Sequence, residues 1–306
     1  MRASFPKLVI AFLVAVIVAS ACGGTTSPGT GAAKPTVIIG STNFSEQLIV
    51  GELYAQLLEA NGYTVTRKFN LGAREIVFPA LTSGQIDMEV DYLATLLSFV
   101  NKNATGSTDP KVTAAALQKE LDSKNVTVLD YAPAVDQNGF VVTKATADKY
   151  KLAKLSDVAA VGNQLVLGGP PECPTRPFCA LGLKNTYGIT FKDFKPLDTG
   201  GPLTVAALKA AQIDVGLLFT SDSTIAVNGF VLLDDDKHLQ LSDNVAPVVR
   251  NDLLSKAPSD FKSLINSIAP KLTTAELTAL NKQADVDKTD PKAIASAWLK
   301  KQGLIK

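Results

Sequence analysis

One string of residues occurs twice in this chain, and the repeat limits what the chain can fold into. Ala80-Leu81-Thr82-Ser83-Gly84-Gln85-Ile86-Asp87 is echoed by Ala207-Leu208-Lys209-Ala210-Ala211-Gln212-Ile213-Asp214. Each copy reads as the end of a helix, a tight turn at Gly84 or Ala211, and the start of a strand. The strands continue as Met88-Glu89-Val90-Asp91-Tyr92 and Val215-Gly216-Leu217-Leu218-Phe219. Tyr92 and Phe219 therefore fall at the same place, the C-terminal end of a strand. Two further segments keep nearly the same offset: Val37-Ile38-Ile39-Gly40-Ser41 with Leu165-Val166-Leu167-Gly168-Gly169, and Asn61-Gly62-Tyr63 with Asn185-Thr186-Tyr187. Three collinear echoes predict an α/β chain of two similar lobes, each a strand–helix–strand–helix–strand unit. Ligands of open α/β sheets bind beyond the carboxyl ends of the strands. That rule sets Tyr92 and Phe219 on opposite walls of a cleft.

The N-terminus reads as a targeting segment. Arg2 and Lys7 make a basic start, Leu8–Ser20 is almost wholly apolar, and Ala19-Ser20-Ala21 supplies small residues for cleavage. Cys22 follows at once, which resembles a lipobox, with Val18 ahead of the small residues. The alternative is an ordinary secretory signal with an incidental cysteine. Acylation of Cys22 supplies the two-chain anchor that stable membrane attachment needs. The Gly-, Ser-, Thr-, Ala- and Pro-rich stretch behind it reads as a flexible tether. This gives residues 1–21 as signal peptide and 22–35 as lipidated tether, and it places the protein on the outer face of the cytoplasmic membrane.

Removing Arg2 and Lys7 from the 30 basic residues leaves 28 against 29 acidic ones. So even a balance excludes the basic footprint of a nucleic-acid binder. Cys173 and Cys179, in an exported chain and six positions apart, predict a disulfide. The single histidine, His238, sits in a polar turn and offers no metal centre, and no metal or cofactor is expected. Asp136 and Asp222 lie in turns where either would offset a cation's charge or simply close the turn. On the strand before Tyr92, apolar Ile86, Met88 and Val90 alternate with Asp87, Glu89 and Asp91, which predicts a partly open face with Glu89 and Asp91 solvated or capping backbone. Trp298 reads as the residue that packs the last helix onto the first lobe. The lobes are bounded as 36–138 plus 240–306 and 139–239.

Gly40-Ser41-Thr42-Asn43-Phe44-Ser45-Glu46, Asn70-Leu71-Gly72, Gly84-Gln85-Ile86-Asp87 ahead of Tyr92, Asn185-Thr186-Tyr187-Gly188 and Phe219-Thr220-Ser221-Asp222 together resemble one family. It is that of the osmoprotectant-binding proteins of ABC importers, which capture glycine betaine, choline, carnitine and related quaternary ammonium solutes. The resemblance covers nearly the whole mature chain. It implies the two-lobed type II periplasmic binding-protein fold with two crossover segments. It also implies four aromatics boxing the ammonium head. Tyr92 matches the first and Phe219 the last, while Asn138 and Val205 stand at the second and third. Thr95 matches a threonine that bonds the ligand's polar end, and Thr42 stands where relatives carry Gln or Lys. Arg176, in the cysteine loop, lies outside the family pattern, and its guanidinium would suit a ligand carboxylate.

The expectation is a lipid-anchored, monomeric receptor with no catalytic residues. It would close on a small solute and pass it to a permease driven by an ATPase. Two rings sandwich a methylated ammonium but stack equally on a sugar or a planar aromatic. Another ligand on the same fold, an extracellular enzyme using Glu89 and Asp91, and a non-transporting surface protein are the competing readings. The chain carries no G-x-S-x-G, H-E-x-x-H or phosphate-binding loop.

Overall fold

A computed structural model describes residues 34–306. The signal peptide, Cys22 and nearly all of the tether lie outside the described residues. Ten strands form two five-stranded sheets. The first holds β1 (Val37–Gly40), β2 (Val65–Lys68), β3 (Met88–Tyr92), β4 (Val126–Val128) and, far along the chain, β10 (Val245–Arg250), in the order β2-β1-β3-β10-β4. The second holds β5 (Asn138–Val142), β6 (Val166–Gly169), β7 (Asp193–Pro196), β8 (Val215–Phe219) and β9 (Val231–Leu232), in the order β7-β6-β8-β5-β9. In each sheet three strands run parallel and the fourth in spatial order runs antiparallel to the third. The chain passes from the first sheet to the second between β4 and β5 and returns between β9 and β10. The two passages lie side by side: Val135 bridges Asn244, Asp136 N–H donates to Asp243 O at 3.0 Å, and Val245 N–H donates to Ala134 O at 3.0 Å.

The sequence echo is a repeated piece of stereochemistry. Gln85 and Gln212 N–H each donate to the carbonyl of Ala80 or Ala207 at 2.9 Å, closing the same turn. That turn needs a left-handed residue, supplied by Gly84 (φ +80°) in one copy and by Ala211 (φ +51°) in the other. The aspartate that ends each copy then ties down the first strand of its sheet. Asp87 N–H donates to Ile38 O and its carboxylate accepts from Ile38 N–H; Asp214 does the same with Val166. A side chain at Gly40 would meet Ile86 at 2.4 Å, and one at Gly168 would meet Ile213 at 2.5 Å. Glycine on one strand thus makes room for the isoleucine of the echo, and the two positions recur as a pair.

Three expectations need correction. The third echo is out of register, because Asn185-Thr186-Tyr187 still lies in the helix Ala180–Tyr187. The counterpart of Gly62 (φ +79°) is Gly188 (φ +71°), each ending its helix in the left-handed conformation. A helix at Lys144–Tyr150 follows β5 where none was expected. And β3 is buried along its whole length, Glu89 and Asp91 included. Helices cover both faces of this sheet, so the alternation on β3 marks two buried environments instead of an inside and an outside.

The helix Ser45–Ala60 packs on the C-terminal helices Phe261–Asn266, Thr274–Asp285 and Pro291–Lys301 through Leu53, Tyr54, Ile265, Leu277 and Trp298. Trp298 is a core residue, as expected, and its indole N–H donates to Glu276 at 2.8 Å. The Thr273 hydroxyl caps the helix Thr274–Asp285 by accepting from Glu276 N–H at 3.2 Å, while the Glu276 carboxylate turns to Trp298 and Lys301. Among the described residues no helix is long and apolar enough to cross a membrane.

Candidate functional site

The carboxyl ends of β1, β3, β6 and β8 and the amino end of the antiparallel β5 converge with both passages on one cavity between the sheets. Its volume is about 50 Å³. At roughly 10–15 Å³ per enclosed water-sized sphere and 30 Å³ of liquid per water, a solute displacing about four waters fits, on the order of 100 Å³. Thr42, Tyr92, Thr95, Asn138, Arg176 and Phe219 all line it.

Tyr92 and Phe219 reach the cavity as the repeat required, yet they do not face each other across open space. Phe44, from the loop after β1, lies between them. Its ring centroid is 5.1 Å from that of Phe219 and 6.4 Å from that of Tyr92, with interplanar angles of 24° and 21°. The aromatic surface is therefore a row of three near-parallel rings. Phe44 belonged to the loop that carried the resemblance, but a lone aromatic in a loop has no periodicity to mark its direction.

Tyr92 is held from behind. Its hydroxyl donates to Glu46 at 2.6 Å and accepts from Gln47 at 3.1 Å. The other oxygen of Glu46 accepts from Ser221 at 2.8 Å and Asn281 at 2.6 Å. This network ties the aromatic wall to the segment leaving β8 and to a C-terminal helix. Burial raises the pKa of Glu46, and burial together with the Glu46 charge pushes the Tyr92 hydroxyl well above its ordinary value.

Charge in the cavity is unevenly committed. Arg74 forms a fork with Asp91, Nε to Oδ2 at 2.8 Å and Nη2 to Oδ1 at 2.5 Å, both side chains buried. Burial works against the Arg74 charge, but Asp91 more than offsets it and the guanidinium is held charged. Asp91 also accepts from the Tyr92 N–H at 2.7 Å. Neither Glu89 nor Asp91 is solvated, and of the two expected alternatives the capping of backbone holds for Asp91. Burial, then the Asp91 charge, drives the Glu89 carboxyl well above the usual carboxylate range.

Two further carboxylates come from the paired passages. Asp243 accepts from the Thr95 N–H at 2.7 Å and from the Thr95 hydroxyl, and burial pushes it up to about 6. Asp136 accepts from Ser221 N–H at 3.0 Å through one oxygen, while its other oxygen, buried, has no partner. Burial and the Glu46 charge raise Asp136 well above the carboxylate range. The buried hydroxyl of Thr42 is likewise unpartnered. Among the described residues neither Asp136 nor Asp243 is in a salt bridge, although the Arg74 charge acts on Asp243 from a distance.

The remaining predicted residues divide. Asn138 turns its amide to Phe178 O at 2.9 Å and lines the cavity as a polar wall where the resemblance implied a ring. Val205 does not line the cavity. It packs against the cluster of Val141, Leu208 and Ile213 beneath its own helix, Pro202–Lys209, and borders a separate surface groove with Asp222. Asp222 accepts from Thr224 N–H and is a turn residue. Arg176 is at the rim but is spoken for: it pairs with Glu75 at 2.8 Å and Glu172 at 3.3 Å, not with a group inside. Cys173 and Cys179 are disulfide-bonded, with Cα atoms 5.2 Å apart, and form part of the wall. Arg74, Asp243 and Phe44 were not singled out. Partnerships such as Thr95 with Asp243 span 148 positions, and no local pattern announces them. Among the described residues no group of three or more His, Cys, Asp or Glu is placed to hold a metal.

Two α/β lobes joined by paired passages, with an aromatic-walled cavity between them, define a solute-binding protein. The profile of the substrate binding domain of the ABC-type glycine betaine transport system matches residues 35–301, and the chain belongs to that family. It is 30% identical over 301 residues to the glycine-betaine-binding protein of Pseudomonas aeruginosa, spanning 93% of each chain. It is 29% identical over 276 residues to the carnitine transport binding protein OpuCC of Listeria monocytogenes, spanning 89% of this chain and 88% of that one. A crystal structure of a glycine betaine/carnitine/choline ABC transporter protein superposes with a TM-score of 0.69 at 31% identity, covering 88% of this chain and 100% of the other. The chain is a substrate-binding protein of ABC-type transport, with the two-lobed periplasmic binding-protein fold.

Proposed function

We propose that the cavity captures a quaternary ammonium solute such as choline, glycine betaine or carnitine. The observation that carries this reading is the aromatic row of Phe44, Tyr92 and Phe219 beside two buried carboxyl groups, Asp136 and Asp243, that form no salt bridge among the described residues. A methylated ammonium gains about 0.5–2 kcal/mol on an aromatic face and more when desolvated. Its positive charge also offsets the burial that raises the pKa of these two carboxyl groups. The unpartnered Thr42 hydroxyl is fitted to a ligand's polar end, and the unpartnered Asp136 oxygen to the ammonium head. Both arginines of the wall are committed to carboxylates, so they favour a cation over an anion. The names of the relatives, which bind glycine betaine and carnitine, support the same class.

Residues 36–138 with 240–306 act as one lobe and 139–239 as the other, closing about the paired passages. The protein works as a monomer on the outer face of the cytoplasmic membrane, anchored through acylated Cys22, and delivers its solute to a permease and its ATPase. It performs no catalysis. Calorimetry with choline, glycine betaine and carnitine tests the reading. It predicts one-to-one saturable binding of at least one of them, whereas binding of none, with a sugar or an amino acid binding instead, overturns it.

A further inference from the structure

Among the described residues, the one direct ion pair from the cysteine loop to the other lobe is Arg176 with Glu75. Arg176 Nη2 lies 2.8 and 3.1 Å from the two oxygens of Glu75, and 3.3 Å from Glu172 of its own loop. Glu75 is in the first turn of the helix Arg74–Thr82. Neighbouring positions on that turn point about 100° apart, so Arg74 turns inward to Asp91 while Glu75 stands outside. Arg176 is equally constrained. It lies inside the ring closed by Cys173 and Cys179, and both cysteines are buried in the core of the second lobe. Beyond the pair opens a groove of about 640 Å³ bordered by Phe99, Lys102, Phe178 and Leu181. Arg74, Thr95, Asn138 and Arg176 line both this groove and the inner cavity. The ion pair thus stands where the cavity meets its wide outer mouth.

We propose that Glu75 and Arg176 form a clasp that holds the lobes together across the mouth of the cleft, and that the Cys173–Cys179 ring exists to aim Arg176 at Glu75. Arg176 is then a positioning residue and does not touch the ligand, in contrast to the role its sequence suggested. The inference rests on the two-lobe closure of the reading above but not on the identity of the solute. A flexible loop would spend the pair's small attraction on ordering a long side chain. A closed ring of seven residues removes most of that disorder beforehand. The pair is partly exposed, so its effect is modest and weakens with salt.

Small-angle X-ray scattering at low ionic strength is the test, on wild type, Arg176→Gln, Arg176→Glu, the swap Glu75→Arg/Arg176→Glu, and Cys173→Ser/Cys179→Ser. Glutamate at 176 faces both Glu75 and Glu172 and should give the most extended particle. The swap should return toward the wild-type profile, a rescue that a merely structural role would not produce. Arg176→Gln keeps the test alive if the cysteine variant fails to fold. Calorimetry with choline and glycine betaine on the same proteins should show about two- to five-fold weaker binding for Arg176→Gln, the range of a partly exposed ion pair. Identical scattering for wild type and Arg176→Glu, or no recovery in the swap, overturns the clasp. Failure of both probes to bind wild type, with the scattering series as described, leaves the clasp standing and counts against the ammonium reading instead.

Discussion

Replacing Tyr92 by phenylalanine separates the two jobs that the structure gives this residue. The ring faces the cavity, while the hydroxyl faces backward to Glu46 and Gln47. Without it, one oxygen of Glu46 loses its only partner, since Ser221 and Asn281 both use the other, and the Gln47 amide loses an acceptor. A hydrogen bond to a charged group contributes about 1.5–3 kcal/mol, and a stranded buried donor costs about 1–3 kcal/mol. Relaxation recovers part of this, and a net loss of about 2–3 kcal/mol is expected. The loss should shrink toward acid pH, where Glu46, already raised by burial, is neutral. Urea unfolding followed by circular dichroism measures it. Affinity for choline should change by no more than a few-fold, because the ring remains. A wild-type urea midpoint refutes the network. Unchanged stability with affinity lost more than ten-fold shows that the hydroxyl touches the ligand and that the orientation argued here is wrong.

Further outcomes are expected. Arg74→Ala strands Asp91 in the interior and should destabilise the fold by about 3–5 kcal/mol in the same urea assay. Asp243, raised by burial to about 6, keeps a proton in the folded chain that the unfolded chain releases near pH 4. Its stabilising contribution is therefore present below about pH 4 and lost as pH rises through about 6, by up to about 3 kcal/mol, a slope that Asp243→Asn should flatten. A cation favours the ionised form, so choline should bind more tightly at pH 7 than at pH 5 in calorimetry. Ala211→Gly relieves a left-handed alanine and should stabilise by about 0.5–1 kcal/mol, while Gly84→Ala should destabilise by about as much in thermal unfolding.

The fold was readable where the same stereochemical problem was solved twice. Glycine at 40 and 168 against isoleucine at 86 and 213, and aspartates 87 and 214 on the first strands, must recur together if either lobe is to form. The third echo misled because Asn and Tyr occur both in a helix and after one, and only Gly188 marks where the second helix stops. Tyr92 and Phe219 were legible because strand ends follow from the strands, whereas Thr95, on the helix Leu93–Val100, came from the resemblance. Val205 was placed by resemblance alone, and the way its helix sits on the sheet turns it away. Asp136 and Asp243 face one cavity only because two passages a hundred residues apart run side by side, and that pairing has no local signature. The alternation on β3 was read correctly as two faces and wrongly as one dry and one wet, since a charge pair such as Arg74 with Asp91 buries what the pattern calls exposed.

The central claim is that a quaternary ammonium head lies on the aromatic row with its positive charge toward the two passages. A crystal structure of the protein with its tightest-binding ammonium solute tests it most directly. The account predicts the methylated nitrogen within about 6 Å of at least two of the ring centroids of Phe44, Tyr92 and Phe219, with Asp136 or Asp243 as the nearest carboxylate. A ligand seated in the groove beside Val205 and Asp222, or one whose nitrogen contacts none of the three rings, would contradict it.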